Sequence, residues 1–188
     1  MLHFWDQSWD LRVAECPCDV HFLEWLEEAK VRDASIFHFG TGSHHIVGLK
    51  TAEDGSNNAV FGITASPAEY DAYVKMLIDK PRLGHTYKAY FGDIYQLDRR
   101  LLPMFDVVSL FHVGEFRTAK NDEYGALTDL DMTRVLCDRL KLGGHVLFYS
   151  GSYAFDVAER VFGELVKAKV LAEAATFKTL RIFKKLTA

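Results

Sequence analysis

Short apolar runs alternate with helix-length amphipathic stretches along nearly the whole chain, and this alternation is what most narrows its fold. Strands separated by helices cannot close as hairpins. Each must return by a crossover and join a parallel sheet covered on both faces. Residues 17–32 predict a first helix, with Phe22, Leu23, Leu26 and Ala29 at helical spacing behind Pro17. Ser35–Phe39 predicts a strand that stops at Gly40; a short helix then ends at Asp54-Gly55, and Ala59–Thr64 predicts the second strand. Ser66-Pro67-Ala68-Glu69 has the form of a capping box with proline at the first helical position. The helix it opens carries Tyr70, Tyr73, Val74, Leu77 and Ile78 on one face and closes at Pro81. Tyr87–Phe91 reads as the third strand, 97–103 as a weak helix, and Asp106–Val113 as the fourth strand. Thr128 caps a helix over 129–141 that Gly143-Gly144 ends, and His145–Ser150 is the fifth strand. A helix over 153–168 buries Ala154, Val157, Ala158, Val161, Phe162 and Leu165. The last two strands, 170–177 and 179–185, lie too close for a crossover and must pair antiparallel. The expected architecture is an α/β three-layer sandwich on a seven-stranded, mostly parallel sheet with its last strand antiparallel.

At 188 residues and 49% hydrophobic content, the chain can build one full core without a metal or disulfide staple. Residues 1–34 form an arm and helix placed to act as a lid, and 35–188 form the domain. The net charge of −4 argues against a nucleic-acid partner. No apolar run reaches membrane-spanning length, and the start lacks the order of a signal peptide, so no membrane partner is expected. Three cysteines make no disulfide framework, which fits a cytoplasmic protein with reduced thiols.

A ligand of such a sheet belongs outside the carboxyl ends of the strands, and the glycines of Gly40-Thr41-Gly42-Ser43 lie there. A dinucleotide fingerprint would place a small residue at 45 and an acid at the end of the second strand; His45 and Thr64 stand there, which discounts NAD. Taken together, several segments resemble the class I S-adenosylmethionine-dependent methyltransferases. Ile36-Phe37-His38-Phe39-Gly40-Thr41-Gly42-Ser43 is similar to their first motif, and Val60–Pro67 to the end of their second strand and the cap after it. Phe91-Gly92-Asp93-Ile94, Phe105–Leu110 and Leu140–Leu147 are similar to the third strand's Gly-Asp, the fourth strand and the turn into the fifth. The resemblance covers about residues 35–186 and implies a Rossmann-like fold whose closing hairpin gives the reversed last strand. It also implies that S-adenosylmethionine lies over Gly40, Thr41, Gly42 and Ser43, with His38 behind the loop, Thr64 at the ribose, and Asp93 and Ile94 on the adenine side.

The cofactor motifs are degenerate. His38 stands where the family opens its first motif with a carboxylate, His44 replaces its third glycine, and Thr64 replaces the ribose-binding carboxylate. A carboxylate hydrogen bond to a hydroxyl contributes about 1.5–3 kcal/mol, so its loss costs roughly 10- to 150-fold in affinity.

His112, at the end of the expected fourth strand, is the candidate catalytic base for a proton-bearing acceptor, with Glu115 as a second candidate. No Asn/Asp-Pro-Pro-Tyr/Phe sequence follows that strand, which disfavours base amines as acceptors in the family's terms. His44 and His45 follow the glycine loop, where they can face a ligand or cap the helix. The spacing of His44, His45, Asp93 and His112 matches no zinc pattern, and Cys16-Pro17-Cys18 with His21 lacks a second pair, so no metal is expected. Cys137 falls mid-helix and reads as core. Trp5, Trp9 and Trp25 read either as an aromatic lid or as an arm packed on the sheet or on a second copy in a homodimer. Tyr149, Tyr153 and Phe155 can extend such a wall, and Lys178, Arg181, Lys184 and Lys185 guard a sheet edge. The expected function is methyl transfer from S-adenosylmethionine to a small-molecule acceptor. The alternative is a non-catalytic relative of the same fold that binds or assembles.

Overall fold

The computed structural model describes residues 1–187. The strands are β1 (Ser35–Phe39), β2 (Ala59–Thr64), β3 (Tyr87–Phe91), β4 (Phe105–Ser109), β5 (Leu140–Tyr149), β6 (Leu171–Phe177) and β7 (Leu180–Lys185). The α-helices are α1 (Cys18–Glu28), α2 (Ile46–Glu53), α3 (Pro67–Asp79), α4 (Ala119–Asp122), α5 (Asp129–Asp138) and α6 (Phe155–Lys167). One seven-stranded sheet runs in the order β3-β2-β1-β4-β5-β7-β6. Every neighbouring pair is parallel except β5 with β7 and β7 with β6, so β7 alone is reversed, as the short gap at Lys178-Thr179 requires.

Successive strand residues point to opposite faces, which divides the apolar interior in two. Phe37, Val108 and Phe148 face α5 and α6, meeting Met132, Leu136, Phe162 and Leu165. Ile36, Val107 and Leu147 face the other way, onto Phe22, Trp25, Leu26, Val47 and Tyr87 beneath α1 and α2. Between β1 and β4 the chain order reverses direction across the sheet, which leaves a crevice at their carboxyl ends.

Several sequence-based boundaries move. β4 ends at Ser109, and Leu110–Val113 turns away with Leu110, Phe111 and Val113 buried among core side chains and His112 partly exposed. His112 therefore lies three residues beyond the strand. Gly143-Gly144 does not end a helix but sits inside β5, where Gly143 adopts φ 78° beside a register shift against β4. α5 stops earlier, at Asp138. α1 stops at Glu28, and the chain leaves it through left-handed Lys30 and Asp33. The weak helix at 97–103 is a single 3-10 turn, Arg99–Leu101, capped by the Asp98 carboxylate. On α3 the buried side chains are Glu69 and Tyr73, whereas Ile78 is 73% exposed.

Gly48 of α2 is where the helix meets the sheet. A Cβ there would fall 2.5 Å from ring atoms of Tyr87, which is buried and hydrogen-bonded through its hydroxyl to His45 Nδ1 at 2.6 Å. Gly48→Val is expected to destabilise the fold by about 1–3 kcal/mol through overpacking. Thermal denaturation should show a fall of roughly 2–4 °C per kcal/mol for a chain of this size.

Candidate functional site

A cavity of about 660 Å³ opens at the carboxyl ends of β1 to β4. Its lining includes Gly40, Gly42, Thr64, Gly92, Asp93 and Ile94 together with Cys16, Cys18, Asp19, His112, Glu115 and Tyr149, and the two groups adjoin, since a Cβ at Gly40 would stand 3.9 Å from His112 Cδ2. Among charged side chains the lining carries Asp10, Glu15, Asp19, Glu69, Asp93 and Glu115 against Arg12 alone, apart from histidines.

The sequence-derived site residues are only partly gathered here. Gly40, Gly42, Thr64, Asp93, Ile94 and His112 line the cavity, whereas His38, Thr41 and Ser43 do not. His38 lies behind the loop, 2% exposed, stacked on Phe22 with Nδ1 bonded to Ser109 Oγ at 2.8 Å. Thr41 is buried against β2, where its methyl group fills the space a Cβ at Gly62 would need. Ser43 is taken by the N-terminal arm: its N–H donates to Trp9 O (2.9 Å) and its hydroxyl to Asp10 Oδ1 (2.8 Å). His44 accepts the Ile46 N–H at the start of α2 and folds its ring against Gly42. His45 is structural. It adopts φ 46° and ties Tyr87 OH to the Glu69 carbonyl oxygen through its two ring nitrogens.

The arm crosses the strand ends as backbone. Trp5 N donates to Ala65 O (3.1 Å), Ser66 Oγ donates to Gln7 O (2.8 Å), and Trp9 O comes within 2.8 Å of where a Gly42 Cβ would stand. Trp5 and Trp9 pack edge-on against Phe116, 5.2 and 5.4 Å between ring centres. Asp93 is also engaged: Oδ1 caps Tyr95 N, while Oδ2 accepts from Asn121 Nδ2 (2.9 Å) and Tyr124 OH (2.6 Å).

Neither a protein-family model nor a curated protein sequence matches the chain, so its likeness to known proteins is one of structure. TrmN from Thermus thermophilus aligns over 89% of this chain with a TM-score of 0.62 at 15% identity, and this chain spans 49% of it. An rRNA methylase from Streptococcus thermophilus aligns over 90% of this chain and 97% of its own, with a TM-score of 0.58 at 14% identity. Coclaurine N-methyltransferase, solved with N-methylheliamine and SAH, aligns over 75% of this chain and 38% of its own, with a TM-score of 0.52 at 14% identity. The chain has the class I methyltransferase fold.

Within this methyltransferase fold, the end of β2 holds a carboxylate after all. Glu69 does not complete the capping box expected of Ser66-Pro67-Ala68-Glu69: Ser66 accepts the Glu69 N–H, but the Glu69 side chain does not return it. Glu69 Oε2 instead accepts hydroxyl protons from Thr64 (2.6 Å) and Thr41 (3.4 Å), and Oε1 accepts the Trp9 N–H (3.2 Å). Burial raises its pKa against the pull of those three donors. Thr64→Asp would bring a second carboxylate to within hydrogen-bond distance of Glu69. The expected result is a loss of about 1–3 kcal/mol in urea denaturation, with no gain in cofactor affinity.

Beside Gly40 the cavity also holds a cluster of two thiols and an imidazole. Cys16 Sγ and Cys18 Sγ are 3.4 Å apart, Cys18 Sγ is 3.8 Å from His112 Nε2, and His112 Nδ1 is 3.2 Å from Glu115 Oε1. Burial opposes a charged His112, but Cys16 and Glu115 outweigh it and raise its pKa to about 10. The Cys18 hydrogen bond, acting against burial and assisted by His112, lowers Cys16 to about 4. Burial raises Asp19 to about 7 and lowers His38 to about 3. Both ring nitrogens of His112 thus have a protein group within 4 Å, although Nδ1 makes no hydrogen bond in this geometry, and its place in the sequence does not reveal these neighbours. His21, the nearer histidine in sequence, instead hydrogen-bonds Thr179 Oγ1 at 2.8 Å. Among the described residues no helix is long and apolar enough to cross a membrane.

Proposed function

We propose that the protein transfers a methyl group from S-adenosylmethionine to a small-molecule acceptor. The observation that carries this reading is the cavity at the strand ends, which the glycine loop, Glu69 and the His112 cluster line together. Its volume, about 660 Å³, is within the usual range for small-ligand sites. Its acidic lining favours a sulfonium cation and a neutral or cationic acceptor, and opposes a phosphate backbone. Glu69 supplies the ribose-facing carboxylate that Thr64 lacks, reaching the same place from α3. His112 and Glu115 work on the acceptor side, and the arm closes over both ligands as a lid. Methyl transfer is an in-line displacement, so the chain's main contribution is to align donor and acceptor and to exclude water.

One observation favours a second reading, a binding module without turnover. The arm places Trp9 O over Gly42 and uses the Trp9 N–H on Glu69, so its backbone already satisfies groups that a cofactor would use. Calorimetric titration with S-adenosylmethionine and S-adenosylhomocysteine distinguishes the two. Saturable binding of both is the expected result, and no heat from either in the folded protein would reject the methyltransferase reading.

A further inference from the structure

The two cysteines at the start of α1 and the histidine after β4 converge, although 94 residues separate Cys18 from His112. Their ligand atoms all lie within 4.8 Å of one another. We propose that Cys16, Cys18 and His112 form a zinc site with one coordination position open to the cavity.

The donor chemistry selects the ion. Two thiolates and an imidazole suit zinc, whereas magnesium and calcium require oxygen ligands. The distances fit as well. A tetrahedral centre with Zn–S near 2.3 Å and Zn–N near 2.0–2.1 Å sets its sulfurs about 3.8 Å apart and sulfur about 3.6 Å from nitrogen. Here the sulfurs are 3.4 Å apart and Cys18 Sγ lies 3.8 Å from the imidazole. Cys16, on the half-buried approach to α1, is the ligand with room to adjust.

The surroundings support the same assignment. A metal-bound histidine commonly gives its second ring nitrogen to a carboxylate, and the buried, unpartnered His112 Nδ1 has Glu115 Oε1 3.2 Å away to receive it. That carboxylate is in turn fixed by Ser152 Oγ at 2.5 Å and Tyr153 N at 3.0 Å. Among the described residues no fourth donor joins the cluster, and its three members all line the cavity. Three protein ligands and a free position are the arrangement of a zinc that acts on a ligand, whereas a structural zinc is enclosed by four. Water or a thiol entering that position would lose its proton readily at neutral pH. The site does not depend on methyl transfer and would exist equally in a binding module.

The test uses the full chain, purified reduced and without chelators. Elemental analysis should find close to one zinc ion per chain. After exchange for cobalt(II), the thiolate-to-cobalt charge-transfer band and strong visible bands of a tetrahedral centre should appear. Cys16→Ser and His112→Asn should lose both zinc and band, and Glu115→Gln should weaken cobalt binding by roughly 10- to 100-fold. Cys137→Ser, whose thiol is buried in the core on α5, should change nothing. Azide should shift the visible bands by entering the open position. A wild-type protein that is folded by circular dichroism yet takes up neither metal overturns the site, as does a band that survives Cys16→Ser. A spectrum insensitive to azide overturns the open position.

Discussion

His112→Asn is expected to lower methyl transfer by about 10²- to 10⁴-fold through loss of the Cys16–His112–Glu115 unit, while cofactor affinity stays nearly unchanged. A ring whose pKa is raised to about 10 is protonated at neutral pH and is not the free base its sequence position suggests. In the proposed reading the imidazole serves the acceptor, whereas Thr64, Glu69 and Ile94, which line the same cavity, serve the cofactor. Asparagine keeps polarity and approximate size, so the fold should hold. The measurement is single-turnover transfer from a labelled donor to an acceptor found by screening, with wild type and variant run side by side. Cys16→Ser makes the experiment decisive. If the imidazole, the thiols and a bound cation act as one unit, the two substitutions lose comparable activity. Full activity in Cys16→Ser would return the role to the imidazole alone, and full activity in His112→Asn would remove this side chain from the reaction.

The second large effect is expected at Glu69. Glu69→Gln preserves shape and can still hydrogen-bond Thr64 and Thr41, but it removes the charge-assisted acceptor for ribose hydroxyls. S-adenosylmethionine affinity should fall by roughly 10- to 150-fold, the value of a hydrogen bond to a carboxylate. Calorimetry on the folded variant measures it directly. Unchanged affinity would mean that the carboxylate serves only to hold Trp9 and the threonine hydroxyls.

All seven strands and the reversal of β7 were legible because periodicity, glycine punctuation and gap length act locally. Local signals also explain the errors. Gly143-Gly144 reads as a helix stop, yet left-handed Gly143 lets the chain kink within a strand and keep pairing with β4. Leu110–Val113 is as apolar as the strand before it, so composition extended β4 past its last ladder partner, Ser109. Of the expected site residues, Gly40, Gly42, Thr64 and Asp93 line the cavity because their positions at the strand ends are local signals. Glu69 was hidden by its resemblance to a cap. A missing acid at Thr64 with an acid five residues later, in the first turn of a helix, was the available clue. The pairing of Cys16 and Cys18 with His112 carried no sequence signal. It arises because α1 and the turn after β4 meet above the β1–β4 crevice, which only the folded topology brings about.

The uneven placement of the tryptophans has an optical consequence. Trp5 and Trp9 line the cavity, whereas Trp25 is 7% exposed and packs against Phe22 and His145 in the interior. Intrinsic fluorescence therefore has a steady background from the interior and a responsive part from the arm. An adenine ring entering the cavity, or the arm swinging out to admit it, changes the surroundings of Trp5 and Trp9 but not of Trp25. The unlabelled protein thus carries its own reporter of occupancy, and Trp5→Phe and Trp9→Phe together would silence it while leaving the background emission in place.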